Sequence, residues 1–174
     1  PNPEAVKRGA ANLKQHVENL KKFNLPVVIA LNKFDGDSLE EIQVLQGICQ
    51  DIGVKCSCAP HWKDGGKGAL ELANAVIDTI AETPQNNFHP LYSDDLTIKE
   101  KIEKVAFELY RSGSVSYTKQ AERQLATLVS QGCDNLPVCL SKTQYSFSAD
   151  PSMLGAPQGF ELNVRELRWS AGAG

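Results

Sequence analysis

The run Leu25-Pro-Val-Val-Ile-Ala-Leu31 constrains the fold of this chain more than any other stretch. It is apolar throughout and β-branched at its centre, without the alternation of a half-exposed strand. Such a run predicts a strand buried on both faces. Helical patterns flank it. Upstream, Val6, Ala10, Leu13, Val17 and Leu20 recur at steps of four and three, so they share one face of a helix from Glu4 to Phe23, with Asn24 as its stop. Downstream, Ser38-x-x-Glu41 has the form of a capping box. It opens a helix that turns Ile42, Leu45, Ile48, Cys49 and Ile52 inward and ends at Gly53. Val54 to Ala59 reads as a second strand, and Ala69 to Glu82 as a third helix stopped by Pro84. His61 to Gly68, polar and rich in glycine, reads as a loop.

This order, α–β–α–β–α, predicts an α/β fold in which helices flank a parallel sheet. Ligands of such sheets bind outside the carboxyl ends of the strands. The loops at 32–37 and 60–68 both follow strands and are expected at the same edge. The second half differs. Thr97-x-x-Glu100 is another capping box, opening a helix with Ile98, Ile102, Val105 and Leu109 inward. A further helix is expected over Lys119 to Gln131, a short strand over Leu136 to Leu140, and another strand where Phe160, Leu162 and Val164 alternate. The expected division is an α/β segment over 1–83 and a helical, mixed segment over 84–174.

Charge narrows the partners. Eighteen basic and 21 acidic residues leave a formal charge of −3, which offers no footprint for nucleic acid or an anionic membrane. No apolar run approaches the ~18 residues that span a bilayer. The cysteines are Cys49, Cys56, Cys58, Cys133 and Cys139. Their odd number argues against a disulfide framework and for a reducing compartment, cytosolic or organellar. Cys56, Cys58 and His61 match no common zinc spacing, and no metal site is expected of them. The chain opens at Pro1 and its one methionine is Met153; the expectation is a piece of a larger protein.

Asn32-Lys33-Phe34-Asp35 fits the Asn-Lys-x-Asp signature with which GTP-binding proteins read guanine. The phosphate loop such a site needs, Gly-x4-Gly-Lys-Ser/Thr, occurs nowhere in the chain. Lys63 to Gly68 holds three glycines and two lysines before a helix, which suits either an anion cradle or a plain turn. Phe34 and Trp62 each follow a predicted strand closely. They either stack on the two faces of a flat heterocycle or cap the core. Lys142 and Thr143 lie in a polar loop where they would meet phosphate or carboxylate, or only water. His16, His61 and His89 have no evident triad partners.

Several stretches resemble formate–tetrahydrofolate ligase, also called formyltetrahydrofolate synthetase. They are Leu25 to Phe34, His61-Trp-Lys-Asp-Gly-Gly-Lys-Gly68, Asn135-Leu-Pro-Val-Cys-Leu-Ser-Lys-Thr-Gln-Tyr-Ser146, and Gly159-Phe160 with Val164-Arg-Glu-Leu-Arg-Trp-Ser-Ala-Gly-Ala-Gly174. The resemblance runs in order across essentially the whole chain. It implies a P-loop NTPase-like fold and an ATP-dependent ligase of one-carbon metabolism. Formate attacks the γ-phosphate of ATP to give formyl phosphate, and N10 of tetrahydrofolate takes the formyl group. It also implies magnesium, a stimulating monovalent cation (K+ or NH4+), a cytoplasmic enzyme and, for bacterial members, a homotetramer. In the family a phenylalanine and a tryptophan hold the pterin; those positions match Phe34 and Trp62. Asn32, Asp35, Lys142 and Thr143 become walls of the folate and ATP cleft. Asp35 departs from members that carry proline or lysine there. The phosphate loop and the catalytic residues are expected upstream, so the chain alone is expected to be inactive. Two readings compete with this one: a GTPase-like nucleotide module built on Asn32 to Asp35, and a catalytically silent domain that supports oligomerisation.

Overall fold

The computed structural model describes residues 1–83, 85, 87–141 and 143–172. They form two compact units, Pro1–His89 and Pro90–Gly174.

In the first unit, α1 spans Pro3–Lys21. The Asn2 side chain accepts from the Ala5 amide and Pro3 opens the helix, where its missing N–H costs nothing. Asn24, at φ 56°, ends the segment in the left-handed region. β1 spans Val28–Asn32 and β2 spans Lys55–Ala59. They pair in parallel, from Val28 opposite Lys55 to Asn32 opposite Ala59. Between them α2, Leu39–Asp51, starts on the predicted capping box, with Ser38 and Glu41 each satisfying the other's amide. α1 and β2 both pack against α2. Ala10, Val17, Ile42, Cys49 and Ala59 form the interior.

Two expectations are corrected here. β1 is not buried on both faces: Ala30 and Asn32 are exposed. His61 to Gly68 is not a loop. It forms one α-turn, α3 (His61–Asp64), and a 3-10 turn over Gly65–Ala69 that leads into α4, Leu70–Glu82. The amides of Lys63 and Asp64 both donate to Pro60 O at 3.0 Å, which closes α3 without a side-chain cap. The helix expected over Ala69 to Glu82 is present as α4; it packs on both strands but buries no residue fully, and Leu70, Val76, Ile77 and Ile80 stay exposed.

In the second unit, α5 spans Ile98–Glu108 behind the Thr97–Glu100 capping box. Its inner face holds Ile98, Ile102, Val105 and Ala106, with Lys101 fully enclosed among them. The Lys101 ammonium donates to Asp134 O at 3.1 Å and Leu136 O at 3.3 Å. Asp134 returns a carboxylate oxygen to the Ile98 amide at 3.1 Å. α6 spans Lys119–Ser130 with Thr118 as its cap. β3, Ser114–Tyr117, pairs in parallel with β4, Glu161–Val164. β4 matches the predicted alternation, whereas β3 carries no pattern long enough to predict. The strand expected over Leu136 to Leu140 is absent. Pro137 has no N–H to give a ladder, and one hydroxyl serves its neighbour instead. Tyr92 Oη accepts from Val138 N at 3.0 Å and donates to Val138 O at 3.3 Å.

The α/β expectation thus holds as helices on two small parallel sheets. Among the described residues no helix is long and apolar enough to cross a membrane.

Candidate functional site

Parallel pairing brings the carboxyl ends of β1 and β2 to one edge. The last ladder contact is Lys33 N to Ala59 O at 3.4 Å. Beyond it the first loop is shaped by Asp37, whose carboxylate accepts from Phe34 N at 2.8 Å while its own amide donates to Phe34 O at 3.1 Å. The second loop is α3, which starts directly after the Pro60 turn and carries Trp62 in its single turn. His61 Nδ1 lies 3.1 Å from Ala59 O and ties that turn to the strand end. Gly68 finishes the arrangement by folding back on Pro60. A Cβ there would stand 2.8 Å from Pro60 C and 2.9 Å from His61 N.

These two local structures present Phe34 and Trp62 side by side. Their ring centroids are 6.1 Å apart and the planes cross at 54°. Phe34 is 49% exposed and Trp62 74% exposed, so neither caps the core. A flat ring between two others needs about 7 Å from plane to plane, two carbon contacts of ~3.5 Å. The rings as they stand therefore touch each other in the tilted geometry that aromatic pairs favour. Taking up a planar ligand requires the side chains to rotate towards parallel and part by about 1 Å.

The residue after each aromatic is charged. Lys63 Nζ lies 2.8 Å from Asp35 Oδ1, with both side chains well exposed. The Asp35 carboxylate beside it holds the Lys63 ammonium above its ordinary pKa. Lys33, Phe34 and Asp35 face Trp62, Lys63 and Asp64 across an open cleft of about 220 Å³. The cleft thus offers two apolar planes rimmed by both signs of charge. That suits holding a flat, polar-edged heterocycle.

The other sequence candidates fall elsewhere. Asn32 is exposed at the end of β1, opposite Ala59. Asp35, the acceptor that guanine recognition would need, is engaged by Lys63; the geometry lends no support to the GTPase-like module. Lys142 lies outside the described residues. Thr143 belongs to the second unit, bridged to Ser146, and its hydroxyl is buried without a hydrogen-bond partner among the described residues. Sequence reasoning missed the Asp35–Lys63 pair and Asp64. The available signal was the repeated order aromatic-then-charge, Phe34-Asp35 and Trp62-Lys63, with opposite signs.

Residues 1–174 match a family model described as formate–tetrahydrofolate ligase. The formate–tetrahydrofolate ligase of Maricaulis maris (strain MCS10) is 50% identical over 173 residues, 99% of this chain and 31% of that protein. The chain therefore spans about a third of the length of this relative. With a match that runs its whole length, the chain belongs to the formate–tetrahydrofolate ligase family.

Proposed function

We propose that this chain is the pterin-holding portion of an ATP-dependent ligase that joins formate to tetrahydrofolate. The observation that carries the proposal is the exposed Phe34–Trp62 pair at the shared carboxyl edge of β1 and β2. The proposed reaction is the one the resemblance implies. A formate oxygen attacks the γ-phosphorus of ATP, ADP leaves, and formyl phosphate forms. N10 of tetrahydrofolate then attacks the formyl carbon, phosphate leaves, N10 loses its proton, and 10-formyltetrahydrofolate results.

In this scheme the chain binds and orients. Phe34 and Trp62 rotate to parallel and take the pterin between them. Fixing the ring plane restricts the arc over which N10 can swing, which is the positioning contribution to an acyl transfer. The phosphate chemistry belongs to the rest of the enzyme, a P-loop NTPase-like sheet that β1 and β2 would extend. Among the described residues no three His, Cys, Asp or Glu side chains converge on a metal site. In this proposal magnesium and a monovalent cation (K+ or NH4+) are held by the rest of the enzyme. The working enzyme is a cytoplasmic homotetramer in this proposal.

Replacing Trp62 by Ala in the intact ligase tests the reading. Loss of one stacked face, ~1–3 kcal/mol, raises the KM for tetrahydrofolate by about 5- to 150-fold. The KM for ATP stays near its parent value. Equal effects on both substrates, or no effect, would refute the pterin role.

A further inference from the structure

We propose that the Asp35–Lys63 ion pair is a clasp that holds the Phe34 and Trp62 loops within stacking range of a single planar ligand. The inference rests on the pterin reading and adds two positioning residues to it. Each loop has its own internal hydrogen bonds: Asp37 with Phe34, and Pro60 O with Lys63 and Asp64. Those bonds set the shape of each loop and leave the distance between the loops free. Past the Lys33–Ala59 contact, Phe34 against Trp62 and Asp35 against Lys63 carry the crossing. The aromatic contact is lost when a ligand enters between the rings. The ion pair need not be. The flexible four-carbon stem of Lys63 lets its ammonium stay on Asp35 while the rings part by about 1 Å. The clasp therefore persists in the open and filled states and keeps both walls in place.

The signs of charge make this distinct from attraction of an anionic ligand. A folate carries carboxylates. If the cleft merely attracted them, Asp35 would hinder binding and Lys63 would help it, so Asp35→Asn and Lys63→Gln would act in opposite directions. A clasp requires both to act in the same direction.

The experiment measures KM for tetrahydrofolate and for ATP in the intact ligase. The variants are Asp35→Asn, Lys63→Gln, their combination, and the charge swap Asp35→Lys with Lys63→Asp; Trp62→Ala runs alongside. An exposed ion pair is weak, so each single variant should raise the tetrahydrofolate KM by about two- to fivefold without moving the ATP KM. The combination should be no worse than either single variant, since both break one interaction. The charge swap should restore the parent KM. A lower tetrahydrofolate KM in Asp35→Asn, or a swap that stays as impaired as the singles, overturns the clasp. If Trp62→Ala impairs tetrahydrofolate while Asp35→Asn does not, the clasp fails and the pterin reading survives. If Trp62→Ala has no effect, both fail.

Discussion

Replacing Gly68 by Ala should loosen the turn that carries Trp62. A Cβ at this position would lie 2.8 Å from Pro60 C, 2.9 Å from His61 N and 2.9 Å from Pro60 O. Carbon atoms settle at ~3.5–4.0 Å from such neighbours, so these backbone atoms must each retreat by roughly half an ångström or more. All three belong to the main chain, and no flexible side-chain end can yield instead. Overpacking of this kind costs ~1–3 kcal/mol. The strain falls on the oxygen that closes α3, because Pro60 O accepts from the Lys63 and Asp64 amides at 3.0 Å. Native-state hydrogen exchange reads this locally, whatever the cooperativity of the whole protein. Exchange at Lys63 and Asp64 should accelerate by about 5- to 150-fold, the equilibrium equivalent of that cost. Gly66→Ala is the control: nothing lies within 4 Å of a Cβ there. Its exchange should stay level or slow slightly, since alanine also restricts the unfolded chain. Equal acceleration in the two variants, or none in Gly68→Ala, would refute the close-approach argument.

Further outcomes follow from the second unit, the helix caps and the thiols. Lys101→Met removes the donor from Asp134 O and Leu136 O, a loss of about 1.5–3 kcal/mol for hydrogen bonds from a charged group; exchange over 134–138 should quicken accordingly. The Glu41 carboxyl is held down at about 2 by the Asn2 amide first, then by the Ser38 hydroxyl and amide. Its folded-state pKa is depressed, so the stabilisation is complete above the ordinary 4.5 and vanishes as pH falls through about 2. Exchange at the first turn of α2 should therefore rise across that window, and Glu41→Gln should abolish the dependence. Burial pushes the Cys49 thiol up and the Cys56 thiol to about 12, whereas Cys139 is exposed. Alkylation near pH 8, followed by mass spectrometry, should label Cys139 well before Cys49 or Cys56.

What the sequence makes legible is local. Both capping boxes appear where their four residues stand, because a cap needs nothing beyond its own turn. β2, α4 and α6 begin within a residue of their predicted starts. Phe34 and Trp62 can be paired from sequence because parallel strands deliver their following residues to one edge. The misses are tertiary. His61 to Ala69 becomes helical because Gly68 folds onto Pro60 and Pro60 O collects two amides, contacts that composition does not announce. Leu136 to Leu140 has a strand's residues yet lacks a strand, because Tyr92, distant in the chain, supplies both partners of Val138. The Asp35–Lys63 pair joins two loops by the same logic. Opposite charges each next to an aromatic hint at it, but only the register of β1 on β2 brings them together.

The bare side of α4 has a practical consequence for handling the protein. Leu70, Val76, Ile77 and Ile80 form an oily ribbon on one helix, 40 to 63% open to water. Ribbons of this sort adhere to one another when nothing else occupies them. With that ribbon open, residues 1–174 on their own would be prone to clump, and a binding titration on them would record self-association before it recorded ligand affinity.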